Sequence, residues 1–295
     1  MERGCHHLRF FPRMFESHFS HSPATARTNG GPDLIRLQRS RGVARVALFM
    51  IACAVALAAV GPVTRELPAQ WSPAAVGALA GLAALTLSLL FTRWEGTSLK
   101  NIGVAVVSGS SLRLAVGFLI GLILVGLHAS IMAVAGHVRW VPSTAGHFAA
   151  IPVTLLTYLL LSCREELAFH GYPLRQLNHL FGPYAALLGI GLIFAVEHVI
   201  GGYSWVNALL GSAMGSVLFG MSALATRGLA VPIGLHAGWN FGQWVIGEKE
   251  TPGLWTVVTE DRFRESAQRV GMIGYLILVG LTTFAFWRWY QQKPS

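Results

Sequence analysis

Eight stretches of this 295-residue chain hold no Asp, Glu, Lys or Arg, and they limit the folds open to it more than any other feature. They are residues 46–64, 67–92, 114–138, 140–163, 176–196, 198–226, 228–247 and 270–287. Each is close to the roughly 20 apolar residues that cross a bilayer core. Lipid offers backbone amides no partner, so apolar stretches of this length fold as helices. The predicted fold is all-α: a polytopic membrane helix bundle of about eight transmembrane helices. Only 12% of the residues are charged, against roughly a quarter in a soluble domain.

The net charge of +9 follows from topology rather than from a nucleic-acid partner. Eight of the 22 Lys and Arg precede Val46. With eight spans and a cytoplasmic N-terminus, 16 of the 22 fall on the inner side. That bias obeys the positive-inside rule and puts both termini in the cytoplasm. The expected setting is an integral membrane protein of the cell (plasma) membrane, with the bilayer as its main partner. Nucleic-acid binding would need a basic face with aromatic platforms, which is not evident.

Residues 1–42 are polar, rich in Arg, Ser and His and poor in acids, and read as a disordered tail resembling an organelle transit sequence in composition. Residues 43–290 read as one membrane domain. The longest loop, 248–269, carries mixed charge and a Pro252-Gly253 turn signal. Glycines such as Gly211, Gly215 and Gly220 fit close helix approach. Cys5, Cys53 and Cys163 are odd in number and far apart, with no CxxC or Cys/His spacing. Neither a disulfide framework nor structural zinc is expected. Cys163 reads as a small packed hydrophobe.

Ionisable residues at membrane depth are costly and mark function by default. Three clusters qualify. Glu165 and Glu166 fall at the end of the fourth span. Adjacent helical residues differ by about 100°, so the two carboxylates point apart, while Glu166 and His170 share a face. Glu197 and His198 end the fifth span, with Phe194 one turn before His198. His236 and Asn240 stand one above the other on the seventh. Each cluster also has a structural reading: an interfacial cap, a hydrogen-bonded core histidine, a polar clasp between helices. Together they supply a carboxylate base, a histidine partner and two neutral donors. Amide hydrolysis without a covalent intermediate needs those groups: a base to deprotonate water and donors for the oxyanion.

In these residues the chain resembles the CAAX-protease and bacteriocin-processing intramembrane endopeptidases. Their pattern is a Glu-Glu pair with Arg four residues after the second Glu, then Phe-x-x-x-His, then His-x-x-x-Asn, on separate helices. Here Glu165-Glu166, Phe194-x-x-x-His198 and His236-x-x-x-Asn240 stand in that order, over about 148–247. The resemblance implies an intramembrane glutamic endopeptidase without cofactor or metal. Its substrate would be a membrane-associated peptide or protein, of which a prenylated CAAX protein is one example. It implies Glu165 as general base aided by His198, His236 and Asn240 as the oxyanion hole, and Glu166 in support. One position departs: the family Arg is His170, and Arg164 or Arg175 would have to compensate. Three alternatives stay open. They are a non-catalytic membrane partner or immunity protein, a zinc peptidase using Glu165, His198 and His236, and a proton-relaying transporter.

Overall fold

A computed structural model describes residues 32–292. The polar tail up to residue 31 and Cys5 within it lie outside the described residues. Among the described residues, nine α-helices carry the fold: α1 Pro32–Thr64, α2 Ser72–Trp94, α3 Ser110–Ala135, α4 Ile151–Glu165, α5 Tyr172–Phe181, α6 Pro183–Ile200, α7 Met214–Thr226, α8 Ala230–Val245 and α9 Arg264–Gln291. Every charge-free stretch contains helix, and the architecture is the all-α bundle that the sequence predicts. Among the described residues, seven helical segments are long and apolar enough to cross a membrane. Their outer faces are apolar, as Leu48, Ile51 and Val55 on α1 and Leu119, Ile123 and Leu127 on α3 illustrate. In lipid such a shell is solvated rather than exposed to water.

Four details differ from the sequence-based expectation. The first helix begins at Pro32, inside the stretch read as tail; proline is pre-organised for a helix start. The seventh expected span is α8, whose 16 residues rise only about 24 Å, short of the roughly 30 Å hydrocarbon core. The Glu pair does not end a span. The span runs from Phe148 to Phe181 through α4 and α5, and the pair lies in its middle. Finally, the helical reading of 140–163 and the loop reading of 248–269 both missed a small sheet. Strand β1 (Arg139–Pro142) pairs antiparallel with β2 (Trp255–Val258), from Arg139 opposite Val258 to Pro142 opposite Trp255.

Packing is set by glycine. Helices α3 and α8 form the most extensive pair. Gly117 and Gly121 of α3 face the α8 backbone at Val231, Leu235 and Gly238, and Gly234 and Gly238 of α8 face Leu114 and Phe118 of α3. A Cβ at any of the four would strike main-chain atoms, so the helices touch backbone to backbone. Gly77 brings α2 against the Leu160 backbone of α4 in the same way, while Gly81 has room for ordinary contact with Arg164.

A second anchor joins α1, α2 and α5. Phe49, Phe91 and Tyr172 pack edge-on or tilted with centroids 5.0–5.3 Å apart. Above them the Glu95 carboxylate accepts hydrogen bonds from Arg45 at 3.0 Å, from the Tyr172 hydroxyl at 2.8 Å and from Gln176. This buried carboxylate is fully partnered and ties three helices together.

Candidate active site

The site starts where α4 fails to continue as a regular helix. Pro173 has no N–H to return to the preceding turn, which breaks the ladder of hydrogen bonds. The chain absorbs this in a π-helical turn over Glu166–Gly171. Such widened turns recur at functional sites because they re-aim side chains. Here the turn is buried on every residue from Glu166 to Gly171.

Glu166 points into the protein. Its Oε2 meets His170 Nδ1 at 2.7 Å, and its Oε1 meets His236 Nδ1 at 2.9 Å. His170 uses its other nitrogen on Ser216 Oγ of α7 at 3.1 Å. Glu165 takes a different direction, as the helical angle between neighbours requires. One of its oxygens pairs with Arg164, and the other lies 3.6 Å from His236 Nε2. The two carboxylates thus reach opposite edges of one imidazole. The Phe219 ring holds that imidazole in plane, stacked at 4.3 Å and 15°.

Arg164 also donates to Glu197 at 2.9 Å, so one guanidinium bridges the first two sequence clusters. Of the two arginines expected to compensate for His170, Arg164 is at the site. Arg175 is not: it donates to the Ala223 carbonyl at 2.7 Å. His198 pairs its Nδ1 with the Phe194 carbonyl at 2.9 Å, and the two rings lie 4.4 Å apart. A carbonyl only accepts, so Nδ1 carries the hydrogen and Nε2 of the neutral ring has a free lone pair. His198 is within electrostatic reach of Glu165. Tyr203, just past α6, stands 5.3 Å from the His198 ring. Burial, with Glu250 and Glu165 nearby, raises its phenol above the usual range.

Asn240 lies one turn beyond His236 on α8. Its Oδ1 accepts from the Lys249 ammonium at 2.7 Å. The three sequence clusters therefore gather around Glu165, His236 and Asn240. Sequence reasoning missed Ser216, an ordinary small residue of a glycine-rich helix, and Lys249, a loop lysine between two glutamates. Neither carries a local pattern that would single it out. Cys163 packs at the edge of the apolar core with a free thiol. Among the described residues, no three His, Cys, Asp or Glu side chains are grouped as metal ligands would be.

The part of the chain that builds this geometry, residues 146–242, matches the family described as Rce1-like, type II CAAX prenyl endopeptidase Rce1-like. Over that segment the chain is similar to the CAAX-protease family. The match begins just before α4 and ends two residues past Asn240, so it spans all three clusters. No curated protein and no solved structure matches the chain. The likeness is to membrane-embedded proteases of CAAX type. The His170–Ser216 pair is where this CAAX-protease-like chain departs from the family's arginine.

Proposed function

We propose that this protein is an intramembrane endopeptidase that cuts a membrane-associated peptide substrate by glutamate-activated water. The observation that carries the reading is the bracketing of His236 by Glu165 and Glu166, with His198 in range of the same Glu165 carboxylate. Glu165 keeps one oxygen off Arg164 and takes a proton from water, helped by the free Nε2 of His198. The water oxygen bonds to the scissile carbonyl carbon, and the carbonyl oxygen becomes an oxyanion. His236 Nε2 and Asn240 Nδ2 donate to it.

The proposed role sets a condition on His236. Its Nδ1 hydrogen goes to Glu166, so Nε2 carries a hydrogen only in the imidazolium form. Collapse of the intermediate breaks the C–N bond. The proton held by Glu165 passes to the leaving amine, and the products are a carboxylate and an amine. A prenylated CAAX tail is the substrate class that the family match favours. The eight Lys and Arg before Val46 support a protein of the cell membrane with its N-terminus in the cytoplasm; the C-terminus shares that side only if α8 also crosses.

A second reading rests on the Arg164–Glu165 pair, which occupies part of the proposed base and would suit a non-catalytic partner protein. Cleavage of a prenylated CAAX reporter in membranes separates the two. The endopeptidase cuts the reporter, loses the activity with Glu165→Gln and keeps it in a strong chelator. Equal cleavage by wild type and Glu165→Gln would remove Glu165 from the mechanism. Loss of cleavage with chelator would favour the zinc reading instead.

A further inference from the structure

Lys249 belongs to none of the motifs, yet its ammonium is the group that meets the Asn240 amide, 2.7 Å from Oδ1. An ammonium has three donors and no acceptor. It therefore decides which end of the amide faces it: Oδ1 turns toward Lys249 and Nδ2 turns away.

The loop that carries Lys249 is clamped. Trp244, buried at the end of α8, donates its indole N–H to the Pro252 carbonyl at 3.0 Å. A Cβ on Gly253 would strike the Trp244 backbone, so the loop lies directly on the helix end. Ser143 N–H bonds the Leu254 carbonyl at 3.0 Å, and the β1–β2 pair follows at once. The ammonium stands 5.9 Å from the centroid of the Tyr158 ring. The charged groups facing it are Glu165 on α4 and Glu248 on its own loop.

We propose that Lys249 is a positioning residue of this site: by donating to Asn240 Oδ1 it aims the Nδ2 hydrogens at the carbonyl oxygen of the scissile bond. The inference rests on the hydrolytic reading of the site given above. Burial outweighs the two carboxylates and lowers the ammonium to about 8. Above that pH the amine gains a lone pair, accepts from Nδ2 and turns the amide over. Oδ1 then faces the oxyanion, and the rate falls.

Two measurements on the full chain in lipid nanodiscs test this. The first follows acylation of the Lys249 amine against pH by mass spectrometry and needs no substrate. Asn240→Leu removes the acceptor, so the titration midpoint moves down; an unchanged midpoint overturns the pairing. The second compares wild type, Lys249→Met, Lys249→Arg and Glu165→Gln on the prenylated CAAX reporter. Lys249→Met lowers kcat by about a hundredfold, the cost of one oxyanion donor, with KM little changed. Lys249→Arg keeps most of the rate and moves the alkaline limb upward, because a guanidinium stays charged. Wild-type kcat and pH profile in Lys249→Met overturn the positioning role. Full cleavage by Glu165→Gln removes Glu165 as the base instead, and the amine titration then decides the Lys249–Asn240 pairing alone.

Discussion

Glu166 and His170, one turn apart across the π-helical turn, are joined at 2.7 Å with both side chains fully buried. A carboxylate in that position persists only when both oxygens are partnered, and His236 takes the second. Ser216 partners the far nitrogen of His170. Four groups from α7 through the turn to α8 thus form one continuous chain of hydrogen bonds. An arginine at 170 would bring charge and a fork of donors by itself; here an imidazole and a hydroxyl share the work.

Glu166→Gln breaks this chain, because an amide accepts at one end only while two imidazoles face it. The expected loss of stability is about 3 kcal/mol, read as thermal unfolding in detergent micelles. Glu165→Gln, at the edge of the chain, should cost well under half of that. Equal melting of Glu166→Gln and wild type would show that the buried bonds hold little.

Arg164 couples two carboxylates from different helices. A double-mutant cycle of Arg164→Met and Glu197→Gln should give an interaction energy of about 1–3 kcal/mol in stability. Simple additivity would mean that the guanidinium is held by Glu165 alone.

Stability and activity should move in opposite directions above pH 8. The Lys249 ammonium lies at about 8 in the folded protein against an ordinary 10.5. Between those values the unfolded chain binds a proton that the folded one does not, so stability rises with pH, by at most about 3 kcal/mol. Below 8 both states are protonated and this contribution is flat. Reporter cleavage falls over the same interval. Lys249→Met should abolish the rise in stability, measured by denaturation at pH 7, 9 and 10.

The glycines give a sharper test of packing. Gly211, singled out in the sequence, has open space around it, and Gly211→Ala should change stability by less than about 0.5 kcal/mol. Gly238→Val drives a side chain into the Phe118 carbonyl of α3 and should cost about 3 kcal/mol or more. Equal stability of the two variants would contradict the backbone contact between α3 and α8.

The absence of charge over eight stretches made the bundle legible, because crossing lipid demands helices whatever the partners. The three polar clusters were legible for a related reason: ionisable groups at depth must be compensated. Their partners were another matter. Arg164 sits beside the Glu pair in sequence, but its bond to Glu197 depends on how α4 and α6 meet. Ser216 and Lys249 reach the site only through the fold of α7 and the clamped loop. Glu95 carries no pattern in the sequence and clasps three helices only through the fold. The length of the Glu-bearing span was misread at Cys163, since a charge-free window ends at Arg164 while the helix, its charges internally paired, runs on to Phe181.

The glycine seam between α3 and α8 has a consequence for the bilayer itself. Helix α8 carries His236 and Asn240, is by itself too short for the hydrocarbon core, and has its register fixed by the α3 backbone rather than by lipid. Hydrophobic mismatch acts by tilting or sliding helices whose apolar length differs from the local thickness. A helix locked main chain to main chain is insulated from that force. His236 and Asn240 therefore keep their depth relative to α3 as the membrane thickens or thins, and under the proposed function acyl-chain length would govern the delivery of substrate rather than the shape of the site.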